Sequence, residues 1–204
     1  AVPNIPLAPN EYNRQYQDQF TNVLRLYFNQ TSNALQLVVG NEGGQYLSFP
    51  YGSFYDTTTQ SASANTPTAI TFNSSANTRH TSIGTPTSRI VFDADGLTTI
   101  TFSIQFANTA AAVHTAWIWL RVNNVDVAGT ASKFDAPAKH GSSDGYLIAA
   151  CNFYVQLSPG DTVEMWAAVD DASVYMEAYA AQTSPYTLPS TPSVVATLTF
   201  VSAV

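Results

Sequence analysis

The side chains best suited to metal binding or acid–base catalysis are few and far apart in this sequence. The three histidines, His80, His114 and His140, stand on predicted loops or strand ends, and none has a partner at a metal-binding spacing such as His-x-x-x-His. His140 lies in the richest polar cluster, which forms either a solvated loop or a contact loop for a neighbouring chain or glycan. This candidate ligand loop comprises Lys139, His140, Ser142 and Asp144.

Two short acidic stretches resemble the beginnings of cation sites. Residues 93–96 (Asp-Ala-Asp-Gly) start like a calcium loop, but the third acidic ligand and the distant Glu are missing, which favours a tight turn between strands. The pair Asp170 and Asp171 is predicted to mark another turn, or else to hold a weakly bound cation. We therefore expect no resident metal and no cofactor.

Nucleophilic chemistry has no recognisable motif either. The sequence contains no Gly-x-Ser-x-Gly elbow, no phosphate-binding glycine loop and no pair of carboxylates placed as a glycan hydrolase or lyase requires. The single cysteine, Cys151, lies in an apolar run and is predicted to be a buried small hydrophobic residue. Trp117, Trp119 and Trp166 could stack on sugars, but their apolar neighbours favour packing inside the protein. The chain is thus predicted not to be an enzyme.

The overall composition points towards assembly. The 204 residues are 45% hydrophobic and only 10% charged, whereas a typical soluble domain has about 25% charged residues. The net charge of −7 and the scatter of the seven Lys and Arg residues argue against binding nucleic acid through its phosphates. No segment approaches the ~18 apolar residues of a membrane span. A surface with so few charges is typical of a protein in a larger assembly.

The N-terminal segment combines a proline-rich arm with a helical pattern. Residues 1–9 contain three prolines and are expected to be extended and docked on a neighbour. They have no basic region, so no secretory signal is expected, and the start at Ala1 fits removal of an initiator Met.

A helical stripe follows the arm. Asn10 is a good N-cap, and apolar residues then recur at spacings of three and four up to the polar stretch 30–33. This pattern predicts an amphipathic helix of about 30 Å. It either packs on its own domain, forms a short trimeric coiled coil or lies in a partner's groove. The residues predicted for attachment are Ile5, Leu7, Tyr12, Tyr16, Phe20, Val23, Leu24 and Tyr27.

Beyond residue 33 the hydrophobic period changes from that of a helix to two. About ten short strands separated by turn signals predict an all-β antiparallel sandwich, most simply a jelly roll. We expect residues 1–33 to form the arm and helix, 34–50 a linker and 51–204 the jelly-roll head. The predicted strands include 51–56, 68–73, 88–92, 99–106, 116–122, 125–133, 145–157, 162–169, 174–181 and 193–201.

Two of these strands are apolar on both faces. In residues 145–157, one face is predicted to lie in the core, and the opposite face carries aromatic and aliphatic residues that are too apolar to be left in water. Residues 174–181 repeat the pattern. Because tyrosine brings a large rigid area with a hydroxyl that can stay hydrogen-bonded, we predict that these second faces are buried between chains, unless a loop of the same chain covers them. The predicted trimer interface comprises Phe54, Tyr146, Ile148, Asn152, Tyr154, Tyr175 and Tyr179.

Several short motifs follow one another after residue 50. They are YGSFYDTTTQ at 51–60, NTPTA at 65–69, WLRVN at 119–123, KHG at 139–141, LSPGD at 157–161 and a final strand ending at Val201. In this order they resemble the C1q/TNF-like jelly rolls of tailed-phage virion proteins, over about residues 50–204. The resemblance implies a homotrimer whose protomers meet along three strands, one of them 145–157. It implies no catalytic residues, and we assign no calcium because a dense acidic cluster is missing.

A second resemblance lies at the start of the chain. IPLAPNEYNRQY at 5–16, with QF at 19–20 and FNQ at 28–30, is similar to the short N-terminal module of structural proteins from phages of marine cyanobacteria. It implies that residues 1–33 attach the protein to a virion.

These patterns lead us to expect a non-enzymatic structural protein on the virion surface of a bacteriophage. It would be a homotrimeric capsid decoration or short fibre that projects a jelly-roll knob. Its expected partners are two further copies of itself and phage capsid or tail proteins, without nucleic acid or membrane. The alternative is a tail-fibre receptor-binding module for host attachment, which recognises host surface polysaccharide.

Overall fold

The protein, in a computed structural model, is described over residues 3–39 and 49–202. The chain divides into two compact units, of which the first ends at Ser48 and the second begins at Phe49. Within the described residues, the first unit contains an arm without regular secondary structure and one helix, and the second contains the β-strands.

The helix α1 spans Arg14–Val39. Asn13 forms its N-cap, because the side-chain oxygen Oδ1 accepts a hydrogen bond of 3.1 Å from the backbone N–H of Tyr16. The expectation that Asn10 caps the helix is therefore wrong by three residues. In the part of the chain that the structure describes, no helix combines the length and hydrophobicity needed to cross a membrane.

The polar stretch 30–33 does not end the helix as the sequence suggested. Thr31 stays helical and its hydroxyl donates a 2.9 Å hydrogen bond to the carbonyl of Tyr27, one turn earlier. The segment 34–50, expected as a linker, is consequently helical as far as Val39. Residues 40–48 of that segment lie outside the described residues.

The described part of the second unit is built from strands alone. Their bounds are β1 Tyr51–Asp56, β2 Gln60–Ser61, β3 Thr68–Ala69, β4 Ser74–Arg79, β5 Thr81–Ile83, β6 Arg89–Phe92, β7 Gly96–Asn108, β8 His114–Val122, β9 Val125–Asp126, β10 Ser132–Ala136, β11 Gly145–Leu157, β12 Thr162–Val169, β13 Val174–Met176 and β14 Val194–Ser202.

Sheet 1 is organised around the long strand β7. On one side, β11 pairs with β7 along its full length, from Gly145 opposite Asn108 to Leu157 opposite Gly96. On the other side, β14 and then β13 pair with β7, and β1 and β4 continue the sheet beyond β14. All of these pairings are antiparallel.

Sheet 2 has the order β10-β8-β12-β6-β5, with β9 added beside β8 and β3 beside β12. Along the chain, β1, β7, β11 and β14 belong to sheet 1, and β6, β8 and β12, which lie between them in the sequence, belong to sheet 2. The fold is therefore an antiparallel all-β jelly-roll β-sandwich, which is the fold class expected from the sequence.

The hydrophobic core lies between the two sheets. Alternation along β7 turns Ile100, Phe102 and Ile104 inwards and leaves the intervening Thr and Ser residues on the outer face. Phe54 and Phe72 pack against each other across the core with a ring-centroid distance of 6.3 Å. Other fully buried large residues are Phe92, Phe106, Ile70, Ile90, Ile118, Leu120 and Leu157.

Several predicted strands differ from those in the structure. The strand expected at 174–181 ends at Met176. The chain between Met176 and β14 forms a loop that is closed by two isolated bridges, Tyr179 with Thr191 and Gln182 with Leu188. The strand expected at 68–73 shrinks to Thr68–Ala69, and 125–133 divides into β9 and β10. The side chain of Gln60 hydrogen-bonds to both the backbone N–H and the backbone carbonyl of Thr71. These two groups are therefore not available to extend β3 beyond Ala69.

Candidate assembly surface

The outer face of β11 carries a row of large apolar side chains in contact with solvent. Tyr146 is 56% exposed, and Ile148 and Tyr154 are each 67% exposed. Ala150, Asn152 and Gln156 complete the row, while Leu147, Ala149, Val155 and Leu157 of the opposite row face the core. The period of two therefore separates the two rows as the sequence indicated.

The same outer face continues across three neighbouring strands. Tyr154 lies opposite Thr99 of β7, which lies opposite Thr199 of β14, which lies opposite Tyr51 of β1. The next two cross-strand rows are Asn152-Thr101-Thr197-Ser53 and Ala150-Ser103-Val195-Tyr55. We call these twelve residues, together with Tyr146 and Ile148, the outer face of sheet 1.

The outer face of sheet 1 has an unusual chemistry for an exposed surface. None of its residues is Asp, Glu, Lys or Arg. Its centre, on β7 and β14, consists mainly of small hydroxyl-bearing residues, and its large side chains lie at the two edges, on β11 and β1. A second sheet or chain can approach such a surface closely, because short side chains cover the middle.

A groove of about 420 Å³ lies at one end of this face. One wall is β11, with Tyr146 and Ile148, and the other contains Glu177 and Tyr179. Gln105 fixes the second wall, because its carbonyl accepts a 2.8 Å hydrogen bond from the N–H of Glu177 and its side chain donates to the carbonyl of Pro192 at 3.1 Å.

Among the described residues that line this groove, Glu177 is the one carboxylate. Its oxygens accept hydrogen bonds from the hydroxyls of Tyr175, at 3.3 Å, and Tyr179. Burial, with the nearby Glu177 charge, raises the pKa of Tyr175 to about 12. Burial and the hydrogen bond to Glu177 also raise the pKa of Tyr179. Both phenols therefore stay neutral donors at physiological pH and hold the carboxylate in place.

The residues predicted for the trimer interface fall into two groups. Tyr146, Ile148, Asn152, Tyr154 and Tyr179 are exposed on the single chain, and Tyr175 is half-buried beside the groove. Phe54 is different, because it points inwards and is 0% exposed in the core. Its assignment to an interface is wrong, and its neighbours Ser53 and Tyr55 take the outer position on β1.

Sequence reasoning missed the hydroxyl-bearing residues of β7 and β14 that lie beside the β11 row. Their alternation with core residues indicated a solvent face, but nothing in the local sequence told which strands would be neighbours of β11. That information comes from the pairing of β7 with both β11 and β14.

The predicted ligand loop is a tight turn between β10 and β11. His140 and Ser143 exchange backbone hydrogen bonds of 2.9 and 3.1 Å, and Gly141 has a positive φ of 61°. Lys139, His140 and Ser142 are exposed, and Asp144 is half-buried. The loop is therefore accessible at the end of the sheet that holds the groove.

The other polar residues considered in the sequence have structural partners. His80 Nδ1 lies 2.8 Å from Asp93 Oδ1, and His114 Nδ1 lies 3.2 Å from Asp170 Oδ1. Asp171 accepts a 2.8 Å hydrogen bond from the N–H of Ser173, which lowers the pKa of this carboxyl. Residues 93–96 and 170–171 thus fit the turn interpretation. Cys151 is free and half-buried rather than buried.

Metal ligands do not gather anywhere in residues 3–39 and 49–202: no three His, Cys, Asp or Glu side chains are close enough to hold an ion.

The residues predicted for virion attachment occupy the arm and α1. Pro3 and Asn4 share a groove with Val23, Leu26 and Tyr27, so the arm folds back along its own helix instead of depending only on a neighbour. Tyr16 and Phe20 stack with a centroid distance of 6.1 Å, and Val23 and Leu24 are half-buried. Ile5, Leu7, Tyr12 and Tyr27 are exposed.

No family model matches the chain, and no curated protein matches it. Among solved structures, the chain is similar to the globular domain of zebrafish complement 1qA protein, with 13% sequence identity and a TM-score of 0.42. That match covers 76% of this chain and 99% of the other. The jelly-roll fold of this chain follows from its own strand order and pairing.

Proposed function

We propose that this chain is a non-enzymatic structural protein that works as a homotrimer. The observation that supports the proposal is the outer face of sheet 1, which is free of charges and carries exposed large side chains along both edges. On β11, the exposed side chains of Tyr146, Ile148 and Tyr154 form an apolar row, and exposed apolar patches commonly mark interaction sites.

The face is the same patch on every copy, and its two sides differ: β11 presents Tyr146, Ile148 and Tyr154, and β1 presents Tyr51 and Tyr55. Unlike sides meet in a symmetric pair as well as in a closed ring, so the face supports assembly without setting the number of copies. The number three is taken from the resemblance to C1q/TNF-like jelly rolls.

The place of this trimer is proposed from the same resemblance. Residues 1–33 resemble a virion-attachment module, so we assign the protein to the surface of a bacteriophage as a capsid decoration or short fibre. The exposed Leu7 and Tyr12 on the arm, at 95% and 84%, provide apolar groups for a contact with a capsid or tail protein.

The oligomeric state is tested on the full chain by light scattering coupled to gel filtration. A particle of three times 21.9 kDa that persists on dilution to micromolar concentration is expected. A stable monomer at that dilution contradicts the proposal.

The location is tested by imaging a particle that carries the protein. Many copies on an icosahedral shell support decoration, and removal of residues 1–33 should leave a trimer that no longer joins the particle. Particles that incorporate the shortened chain normally contradict the attachment role.

A second candidate function is host attachment. It is favoured by the exposed turn at Lys139, His140 and Ser142, which lies at one end of sheet 1, beside the start of β11. In that case the protein occurs in a few copies at the tail, and the same images distinguish the two positions.

A further inference from the structure

All three tryptophans lie on the outer face of sheet 2, opposite the face discussed above. On β8, Ile118 and Leu120 point into the core, so the intervening Trp117 and Trp119 point outwards. Trp117 is 44% exposed. Trp166 of β12 lies opposite Trp119 in the register, with the ring centroids 6.4 Å apart. The expectation that these side chains pack inside the protein is wrong for Trp117, whereas Trp119 and Trp166 are half-buried and pack against each other outside the core.

Trp119 is held in a fixed orientation. Its ring N–H donates a 2.8 Å hydrogen bond to Oδ1 of Asp126, and the guanidinium Nε of Arg121 lies 3.1 Å from the same oxygen. Arg121 also lies over the ring of Trp166, 4.5 Å from its centroid. The aromatic surface is therefore formed before any ligand arrives, which reduces the entropy lost on binding.

A groove of about 440 Å³ opens beside Trp119. The connection between β9 and β10 forms its other wall, with Val127, Ala128, Gly129 and Ala131. Gly129 has a positive φ of 80°, and no heavy atom lies within 4 Å of the place where a Cβ would stand. Ala128, Gly129 and Ala131 have short side chains or none, so this wall of the groove is low. The volume is in the range of pockets that hold small polar ligands, roughly 300–1,000 Å³.

The chemistry of the groove selects its ligand. An indole face offers an apolar surface, and Asp126, whose side chain is 69% exposed, offers carboxylate oxygen for hydroxyl groups. The Asp126 charge is balanced by Arg121, so the groove attracts neither an anion nor a cation strongly. A sugar ring combines the matching features: an apolar C–H face, hydroxyl groups around its edge and no charge.

We propose that this groove binds one ring of an uncharged oligosaccharide by stacking on Trp119, with its hydroxyl groups donating to Asp126. Trp117 lies two residues earlier on the same strand face, about 7 Å away along β8. It receives the next sugar ring, so the site takes at least a disaccharide segment. This inference does not depend on the proposed trimer, because the site belongs to sheet 2 and leaves sheet 1 free.

Binding is measured on the full chain with uncharged oligosaccharides of glucose, mannose, galactose or N-acetylglucosamine. Indole N–H signals in NMR spectra and tryptophan fluorescence are followed during the titrations. At least one sugar is expected to bind saturably, with a dissociation constant below about 10 mM. Trp117→Ala is expected to weaken that binding about tenfold or more, and circular dichroism checks that the variant stays folded. Trp117→Phe should restore part of it.

Tyr154→Ala, on the outer face of sheet 1, serves as the matched control and should bind the sugar like the wild type. The proposal is overturned if no sugar of the panel binds, if Trp117→Ala binds as well as the wild type, or if only charged polysaccharides bind. Equal loss in Trp117→Ala and Tyr154→Ala also overturns it, since the sugar would then depend on assembly and not on this groove. Because oligomeric mass is measured separately, failure here leaves the trimer proposal standing.

Discussion

Replacing Tyr154 by Asp tests whether the outer face of sheet 1 is buried between copies. Tyr154 is 67% exposed in the single chain, and a fully covered tyrosine buries roughly 200 Å². The area still to be covered is about 130 Å² per protomer, which corresponds to roughly 3 kcal/mol at about 25 cal/mol per Å². In a trimer the change occurs three times, for a total of roughly 10 kcal/mol.

The introduced carboxylate adds to this loss, because it must leave water when the face is covered. A loss of roughly 10 kcal/mol raises the dissociation constant of the trimer by about seven powers of ten. We therefore expect Tyr154→Asp to be monomeric at micromolar concentration in light scattering. The fold of the single chain should persist, because the side chain contributes little to the core, and circular dichroism checks this.

A matched control separates loss of the interface from the effect of a new charge. Val125 of β9 is 68% exposed, close to the value for Tyr154, but it belongs to sheet 2. Val125→Asp should keep the mass of the wild type. If Tyr154→Asp also keeps that mass over the whole concentration range, the face is not an interface and the argument from its exposed side chains fails.

Two further substitutions and one pH titration test the packing of the jelly-roll head. Ser88→Ala removes the 2.6 Å hydrogen bond to Glu164, which is only 4% exposed, and should lower the unfolding free energy in urea by about 1–3 kcal/mol. Gly145→Ala places a Cβ 1.9 Å from the carbonyl oxygen of Pro137, and should lower the unfolding temperature through a cost of roughly 1–3 kcal/mol. In an ultraviolet titration Tyr175 should ionise only near pH 12, so its contribution to stability is complete below the ordinary tyrosine pKa and is lost as the pH rises through about 12.

Each of these has a result that contradicts it. If Ser88→Ala is as stable as the wild type, the buried carboxylate of Glu164 does not need the Ser88 hydroxyl as a donor. Ser142→Ala, in the exposed turn, is the control for the loss of a serine hydroxyl without a buried partner. An unchanged unfolding temperature in Gly145→Ala would mean that β10 and β11 move apart easily at this corner. Ionisation of every tyrosine near its ordinary pKa would contradict the burial of Tyr175.

The sequence located β1, β11 and β12 with the bounds that the structure has. In β11 and β12 an apolar core row alternates with a different second row, which produces a clear period of two. The strand β4 was not predicted. Its residues Ser74–Arg79 are nearly all exposed, so this strand buries no row that could create a period of two.

The errors at single residues have the same physical origin. Phe54 and Tyr55 are adjacent aromatics on β1, and a shift of one position exchanges the core and solvent faces of a strand. The tryptophans of β8 were judged by their immediate neighbours, whereas residues two positions apart share a face. Which strands lie side by side depends on pairing between segments far apart in sequence, such as Ile104 with Val194, and local patterns do not contain it.

The distribution of charge on the head distinguishes its two outer faces. Three ion pairs, Arg89 with Glu164, Arg121 with Asp126 and Lys133 with Asp135, join residues of sheet 2 strands. The outer face of sheet 1 has no charged residue on β11, β7, β14 or β1, and the first charge beyond it is Arg79 of β4, which lies opposite Tyr51. The proposed trimer would cover the uncharged face and leave two of these ion pairs, Arg121 with Asp126 and Lys133 with Asp135, and the tryptophan groove exposed. The proposed assembly surface and the proposed sugar site therefore lie on different sheets, and occupation of one leaves the other accessible.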